Sequence, residues 1–212
     1  MVPLSATVEV DLTVIARLCD RVRAELQART GASPNHLAFV AKAVCEALKD
    51  IPVLNSRFDA AGAIAYADGE HLGIEVDSPQ GPLAPVIHGA GELSVTGLAV
   101  RIADLASRAR ADQISADELT GGSFTIANHG TLGALLATPL ITQGQVATLD
   151  IGAVTRRPVV VDDPRLGEIM TIRDMAYLTL TYDHRLIDRS EATRFLATIK
   201  ARLEAGDFPT EP

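Results

Sequence analysis

Two hydrophobic periodicities alternate along this chain of 212 residues. In four segments, apolar residues recur every three or four positions, which is the spacing of one face of an α-helix. A residue that can cap a helix precedes each of these segments. The four predicted helices run from Asp11 to Gly31, from Ser33 to Ile51, from Ser94 to Ala109 and from Asp188 to Gly206.

Elsewhere apolar and polar residues alternate between turn signals such as Asp68-Gly69, which is typical of short strands. The predicted strands are Ser5–Val10, Ala63–Tyr66, His71–Val76, Leu83–Ile87, Ser123–Ala127, strand material within Gln145–Val161, and Ala176–Tyr182. Helices and strands do not alternate regularly as βαβ units. The order therefore predicts an α+β sandwich, with a mixed β-sheet flanked by helices.

Composition narrows the function classes. Hydrophobic residues make up 47% of the chain and charged residues 22%, as in an ordinary globular domain. The net charge of −8 argues against partners such as nucleic acid or an anionic membrane. No apolar run is long enough to span a membrane and no signal peptide is visible, so we expect a cytoplasmic protein. Cys19 and Cys45 lie among apolar residues without metal-ligand spacing, which predicts buried free thiols and no metal site.

The strongest candidate for chemistry is His184, which lies where the last predicted strand gives way to the last predicted helix. A histidine held at such a turn can take a proton from a thiol or hydroxyl near neutral pH. The surrounding residues also have a purely structural interpretation. Asp188 and Glu191 have the spacing of a helix capping box, and Asp183 and Arg185 can form a surface ion pair.

Taken as a string, Tyr182–Asp188 resembles the Asp-His-Arg-x-x-Asp signature of the acyltransferase component (dihydrolipoamide acyltransferase) of 2-oxo acid dehydrogenase complexes. The resemblance covers nearly the whole chain. Its other landmarks are residues 51–58, 71–79, 83–87, 117–126 and 137–141. It implies a fold like that of chloramphenicol acetyltransferase, assembled as a homotrimer with active sites at the subunit boundaries.

The resemblance implies acyl exchange between a dihydrolipoyl thiol and the thiol of coenzyme A. A related possibility is an acceptor thiol on the phosphopantetheine arm of a carrier protein. His184 matches the family's general base, and Asp188 matches the second acid of the signature. Asp183 and Arg185 match residues with a structural role. Arg156 and Arg157 are weaker candidates for contacts with coenzyme A phosphates, a solvated basic pair being the alternative.

At two positions the chain departs from the family pattern. The family usually has Ser or Thr after Phe-Thr-Ile, as the expected hydroxyl donor to the oxyanion, whereas this chain has Ala127. Thr125 or Asn128 could supply the donor instead, although Asn128 also fits a turn residue. We expect that Ala127→Ser or Ala127→Thr raises acyl transfer, since it restores a donor. Arg189 replaces the usual Gly, and it is acceptable as the first residue of a helix.

Two functional classes remain open at this point: an active acyltransferase, or a trimeric scaffold that has lost its chemistry together with the hydroxyl at position 127. The intact Asp-His-Arg-x-x-Asp string favours the enzyme. The string Leu-Gly-x-Leu-x-x-Thr-Pro leans toward the succinyl-transferring branch of the family.

The resemblance also sets expectations about domains and partners. Residues 1–212 match a single acyltransferase catalytic domain, without the usual opening helix and without a lipoyl or peripheral subunit-binding domain. We therefore expect a separate partner that bears the lipoyl group or is an acyl-carrier protein. The tail Asp207–Pro212 has one large apolar residue, which predicts a solvated end and a free trimer rather than a cubic or dodecahedral core.

Overall fold

The computed structural model describes residues 1–31, 35–59 and 62–209. The helices are α1 (Thr13–Thr30), α2 (His36–Asp50), α3 (Val95–Arg110) and α4 (Arg189–Ala205). The strands are β1 (Pro3–Asp11), β2 (Ser56–Phe58), β3 (Ile64–Tyr66), β4 (Leu72–Ile74), β5 (Val76–Ser78), β6 (Gly81–Leu83), β7 (Val86–Ile87), β8 (Phe124–Ala127), β9 (Ala147–Ile151), β10 (Thr155–Asp163) and β11 (Gly167–Asp183).

Seven strands form one mixed sheet in the order β1-β11-β9-β8-β4-β7, with β10 paired to β11. Strands β4, β8 and β9 run parallel, and the other pairs are antiparallel. The predicted α+β class with a mixed sheet is confirmed. Because the three central strands run parallel, their carboxyl ends meet at one edge of the sheet, beyond Ile74, Ala127 and Ile151.

One face of the sheet carries the hydrophobic core and the other is polar. Along β11 the residues Leu178, Leu180 and Tyr182 join the core, whereas Thr179 and Thr181 are buried on the opposite face. The period of two residues in a strand produces this division. The predicted alternation of β11 is confirmed, and the helices cover the apolar face.

The predicted stops and caps of the helices are largely confirmed. Gly31 ends α1 in the left-handed conformation, Ser94 caps α3 through its hydroxyl, and Asp188 with Glu191 forms a capping box at α4. The predicted start of α1 was wrong. The cap position of α1 is Leu12, because Asp11 still belongs to β1 and accepts a hydrogen bond from the Thr13 amide at 2.8 Å.

Helix α2 begins at His36 with Asn35 as its cap. The side chain of Asn35 accepts a hydrogen bond from the Ala38 amide, the bond that a capping Ser would otherwise have made. The predicted start at Ser33-Pro34 lies outside the described residues.

Two predicted strands are divided in the structure. His71–Val76 is split at Glu75 into β4 and β5, and Leu83–Ile87 is split into the end of β6 and β7. The two outer pieces form a separate hairpin, β5–β6. The break leaves Glu75 at the carboxyl edge of the central sheet, where its amide donates to the Ile126 carbonyl at 2.9 Å.

The last helix stops at Gly206, as predicted, but the chain after it is not simply solvated. Phe208 is only 6% exposed and packs edge-on against Phe39, with ring centroids 5.3 Å apart. The guanidinium of Arg202 lies 4.3 Å from the centre of the Phe208 ring. The prediction of a solvated tail is therefore wrong up to Phe208. Among the described residues, none of the helices has the length and hydropathy needed to span a membrane.

Candidate active site

His184 lies in the turn between β11 and α4, and its backbone is fixed on both sides. Its amide donates to the Val2 carbonyl at 2.8 Å, which ties the turn to the start of β1. Its ring Nδ1 lies 3.1 Å from the carbonyl oxygen of Ile187, so Nδ1 carries a proton and donates to that oxygen. The neutral ring therefore keeps its lone pair on Nε2, which is the form that a general base requires.

Asp183 holds this turn in place through hydrogen bonds to its carboxylate. Its carboxylate is 3% exposed and accepts hydrogen bonds from the Val2 amide at 3.0 Å and from the Arg185 guanidinium at 2.6 Å. These bonds, with Arg185 as the main cause, hold the pKa of Asp183 far below its ordinary value. Arg185 in turn lies over the ring of Phe58, 4.9 Å from its centre. Both residues orient the turn that carries His184.

Asp188, the second acid of the signature, is exposed and points at the start of α4. Its Oδ1 accepts from the Glu191 amide at 2.8 Å, and the Glu191 side chain accepts from the Asp188 amide at 2.9 Å. Within this chain Asp188 therefore positions the helix that follows His184. It makes no described contact with the imidazole.

The hydroxyl of Thr125, a candidate donor to the oxyanion, already makes hydrogen bonds within the chain. Its side chain donates to Gln145 at 2.8 Å and accepts from Thr142 at 3.0 Å, and it is 1% exposed. Ala127 lies two residues further along the same face of β8 and is fully buried. In this chain neither residue presents a free hydroxyl at the carboxyl end of β8.

Within one chain, His184 and Ala127 are far apart. Ala127 pairs with Asp150 on β9, whereas Tyr182 pairs with Ala147, three residues earlier on the same strand. With about 3.3 Å per residue and about 4.8 Å between strands, Tyr182 and Ala127 are about 14 Å apart. His184 lies two residues further away, beyond the reach of its side chain. A reaction that needs both positions requires them from two different copies of the chain.

A cluster that the sequence did not single out lies at the carboxyl edge. Asp150 is 1% exposed, and its Oδ1 lies 2.7 Å from Nδ1 of His129. On the other side of that ring, Nε2 is 3.5 Å from Glu75. The hydrogen bond that His129 donates to Asp150 raises the pKa of His129, and burial raises the pKa of Glu75. A sequence signal did exist, since Asp150 interrupts the apolar strand Ala147–Ile151.

Asn128 is the residue between Ala127 and His129 along the chain. It precedes a short 3-10 turn, and its carbonyl accepts from the Thr131 hydroxyl at 2.9 Å, as expected of a turn residue. Its side-chain oxygen Oδ1 is buried and has no hydrogen-bond partner among the described residues. Such an acceptor is costly to leave unpaired. Asn128, His129 and Glu75 all line a cavity of about 280 Å³ at this edge.

Arg156 and Arg157 do not form a common basic surface. The Arg157 guanidinium lies 2.5 Å from Glu9 and over the ring of Tyr177, so it is held by the neighbouring strands. Arg156 is largely exposed, and its nearest carboxylate, Asp174, is 3.9 Å away. The expectation of a solvated basic pair is wrong for Arg157, and of the two side chains only Arg156 is largely exposed.

Both cysteines are buried free thiols, as predicted. Burial raises the pKa of Cys19 to about 11 and that of Cys45 to about 12. Neither thiol therefore ionises near neutral pH.

The fold is that of a known class of acyltransferase domain. A family model described as 2-oxoacid dehydrogenases acyltransferase (catalytic domain) matches residues 1–209. The chain belongs to this family, which confirms the predicted resemblance.

Two relatives illustrate the family. The dihydrolipoyllysine-residue acetyltransferase component of the pyruvate dehydrogenase complex of Mycobacterium bovis is 49% identical over 209 residues. The succinyltransferase component of the 2-oxoglutarate dehydrogenase complex of Bacillus subtilis is 37% identical over 196 residues. The matches cover 98% and 92% of this chain but only 38% and 46% of those proteins.

Solved structures agree with the fold. A probable dihydrolipoamide acetyltransferase from Listeria monocytogenes superposes with a TM-score of 0.90 at 32% identity, covering 99% of this chain and 87% of that one. The cubic core of a pyruvate dehydrogenase multienzyme complex gives 0.87 at 30% identity, covering 95% and 81%. A chloramphenicol acetyltransferase gives 0.57 at 17% identity, covering 96% and 87%, and this likeness confirms the predicted fold alone.

Proposed function

We propose that this chain is an acyltransferase that moves an acyl group between a thiol on a lipoyl arm and the thiol of coenzyme A. The observation that carries the proposal is the turn at His184. Its Nδ1 is bound to the Ile187 carbonyl, and its Nε2 is left as the proton acceptor. A thiol is a weak nucleophile until it loses its proton, so a base in this form supplies what the reaction needs.

In the proposed reaction His184 takes the proton of the attacking thiol as its sulfur bonds to the thioester carbon. The carbonyl oxygen then bears a negative charge. When the tetrahedral intermediate collapses, the bond to the departing sulfur breaks and His184 returns the proton to that sulfur. The hydrogen bond from Nδ1 to Ile187 keeps the ring in one orientation through both steps.

The active unit that we propose is a homotrimer. His184 and the carboxyl end of β8 belong to opposite edges of the protomer and come together only between copies. Exposed apolar side chains fit such contacts, and the cubic core found among the structural relatives is an assembly of the same domain. They lie on the loop after β8 and on the β10–β11 hairpin: Leu132, Leu135, Leu136, Leu140, Val160, Met170 and Ile172.

The chemistry of the substrate arms suits the unpaired acceptor at Asn128. Lipoyl-lysine and the pantetheine arm of coenzyme A, like that of a carrier protein, both contain secondary amides. An amide N–H from either arm would satisfy the buried Oδ1 of Asn128. We propose Asn128 as a binding residue for one arm, and a lipoyl-bearing domain as the partner.

For the acyl group we propose acetyl rather than succinyl. The Mycobacterium bovis acetyltransferase is 49% identical to this chain, against 37% for the Bacillus subtilis succinyltransferase. In addition, Glu75 and Asp150 make the carboxyl edge acidic, which disfavours an acyl group that carries its own carboxylate. This proposal replaces the expectation of succinyl transfer, which rested on the short string Leu-Gly-x-Leu-x-x-Thr-Pro.

A thioester exchange assay tests the function. The chain is mixed with acetyl-, succinyl- or propionyl-coenzyme A, and with dihydrolipoamide or a reduced carrier-protein thiol as acceptor. We expect transfer with acetyl-coenzyme A and dihydrolipoamide, and we expect His184→Ala to remove nearly all of it while the protein stays folded and trimeric. Near-normal transfer by a folded His184→Ala variant would show that His184 is not the base.

The same assay separates the enzyme from a trimeric scaffold without chemistry, for which the alanine at position 127 is the specific argument. A folded trimer that transfers none of these acyl groups would support the scaffold. Any turnover that depends on His184 supports the enzyme.

A further inference from the structure

The pairing of three neighbouring strands indicates that the imidazole of His129 lies over Ala127. Ile74 pairs with Ile126 on one side of β8, so the next residue, Glu75, lies beside Ala127. On the other side Asp150 pairs directly with Ala127. The three side chains thus stand at one level on one face of the sheet.

The ring of His129 bridges the two outer members of this row. Its Nδ1 is 2.7 Å from Asp150 and its Nε2 is 3.5 Å from Glu75. A ring that contacts both flanking carboxylates lies across the residue between them. The burial values agree, because Ala127 is 0% exposed whereas the His129 side chain is 33% exposed.

Two features of the sequence make this placement possible. A side chain on Gly130 would collide with the backbone of Gly152, so the absence of one lets the loop after β8 press against the end of β9. The methyl group of Ala127 then leaves room for a ring above it. The backbone amide of His129 also donates a hydrogen bond to Asp150, at 3.2 Å. The same carboxylate therefore holds both the ring and the backbone of this loop residue.

We propose that His129, positioned by Asp150, donates a hydrogen bond to the carbonyl oxygen of the thioester at the acyl-transfer site. The inference rests on the proposed function, since it assigns the donor for that reaction. At this edge the group that meets a substrate is the imidazole and not position 127, which the ring covers. The proton stays on Nε2 throughout, and no bond to His129 forms or breaks.

The charges around the ring favour a donor over a second base. The groups that face it are Asp150 on β9, Glu75 after β4, Asp77 on β5 and, across the cavity, Arg110 on α3. Three carboxylates against one guanidinium favour the imidazolium form. Asp150 binds Nδ1, and Nε2–H faces Glu75 at 3.5 Å, which is longer than an ordinary hydrogen bond, so this N–H is left to donate to a substrate oxygen. The described residues include no group of three or more ligands suited to a metal ion.

The test compares two variants of the full chain that differ only in the donor. Glutamine and methionine have nearly the same length, but only the glutamine side chain can donate a hydrogen bond. We expect His129→Met to lower kcat by about a hundredfold and His129→Gln to stay within about tenfold of the unmodified chain. Circular dichroism and light scattering check that both variants keep the fold and the assembly of the parent.

The pH profile supplies a readout that a merely structural histidine would not change. Because the pKa of His129 is raised, transfer by the parent should fall on the alkaline side as the imidazolium loses its proton. Asp150→Asn removes the main cause of that shift and should move this alkaline limb to lower pH. An alkaline limb that stays in place in a folded Asp150→Asn variant overturns the assignment.

The outcomes distinguish this inference from the proposed function. If the unmodified chain transfers no acyl group, the proposed function fails and this inference fails with it. If transfer requires His184 but His129→Met keeps kcat within twofold, only the role of His129 is overturned.

Discussion

At the scale of single residues, two buried aspartates each hold a basic side chain in place. Asp183 holds Arg185 below the turn of His184, and Asp150 holds His129 at the carboxyl end of β8. In each pair the carboxylate is almost completely buried and the cation is partly exposed. A buried charge is tolerated only when it is paired, so each aspartate fixes the position of its cation.

Asp183 should make the stability of the protein depend on acidic pH. Its pKa in the folded chain lies far below the ordinary value of 3.8, so its contribution is present above that value and is lost as the pH falls below it. We expect Asp183→Asn to cost roughly 1–3 kcal/mol at neutral pH. Chemical denaturation between pH 7 and pH 3 should show a smaller acid-induced loss for the variant than for the parent. Equal losses would contradict this account.

The covering of Ala127 by His129 changes what is expected of a restored hydroxyl. In the parent chain Ala127→Ser would place its hydroxyl beneath the ring, and we now expect little gain in transfer, contrary to the expectation from the family pattern. In a His129→Ala background the same substitution is uncovered and should raise the rate about tenfold or more. Steady-state kinetics of the four chains measures this coupling. Equal effects of Ala127→Ser in both backgrounds would mean that the ring does not cover this position.

Among the elements, α4 does most to hold His184 in place. The helix begins at the capping box of Asp188 and Glu191, four residues after His184, and ends at Gly206. Ala192, Phe195, Leu196, Ile199 and Leu203 pack its apolar face into the core. The turn is therefore held between a strand of the central sheet and a helix that is packed into the core.

The two ends of α4 give a prediction that separates stability from chemistry. Asp188→Ala removes a cap and should lower the free energy of unfolding by about 1 kcal/mol. Gly206→Ala should cost as much or more, because Gly206 has a φ of 64° and an added methyl group would collide with Val14. If Asp188 only positions α4, both variants should lose stability and keep most of their transfer rate. A much larger rate loss for Asp188→Ala would give it a direct part in the reaction. Thermal unfolding and the exchange assay together decide this.

At the scale of the whole molecule, the described surface is unusually apolar in two places. The loop after β8 exposes several leucines, among them Leu140 at 91%. The β10–β11 hairpin, where Val160 pairs with Met170, extends past the pairing of β11 with β1 and β9 and exposes one apolar face. Exposed apolar surface of this extent marks contacts with other chains.

The assembly proposal predicts that these surfaces and the activity fail together. Ile172→Arg places a charge on the exposed face of the hairpin, far from His184 along β11. We expect the parent to have a mass near three chains by light scattering, and the variant to dissociate into folded monomers without transfer activity. Thr171→Arg, on the other face of the same strand, is the matched control and should keep more of both. An active monomer would rule out a site shared between copies.

The sequence by itself determined most of the helices and strands and the position of the turn that carries His184. Periodicity placed the four helices, the alternating strand β11 and the stop at Gly206, because burial of one face imposes a regular spacing. It also placed His184 between a strand and a capped helix. These features depend on residues close together along the chain, and local rules describe them well.

Only the tertiary structure decided how distant segments meet. Glu75, His129 and Asp150 come from three separate parts of the chain, and strand pairing alone brings them to one level. The same pairing shows that His184 and Ala127 are too far apart to act within one chain. Tertiary packing also pairs Arg157 with Glu9 and buries Phe208 against Phe39. Register and packing are non-local, so no spacing along the sequence could reveal them.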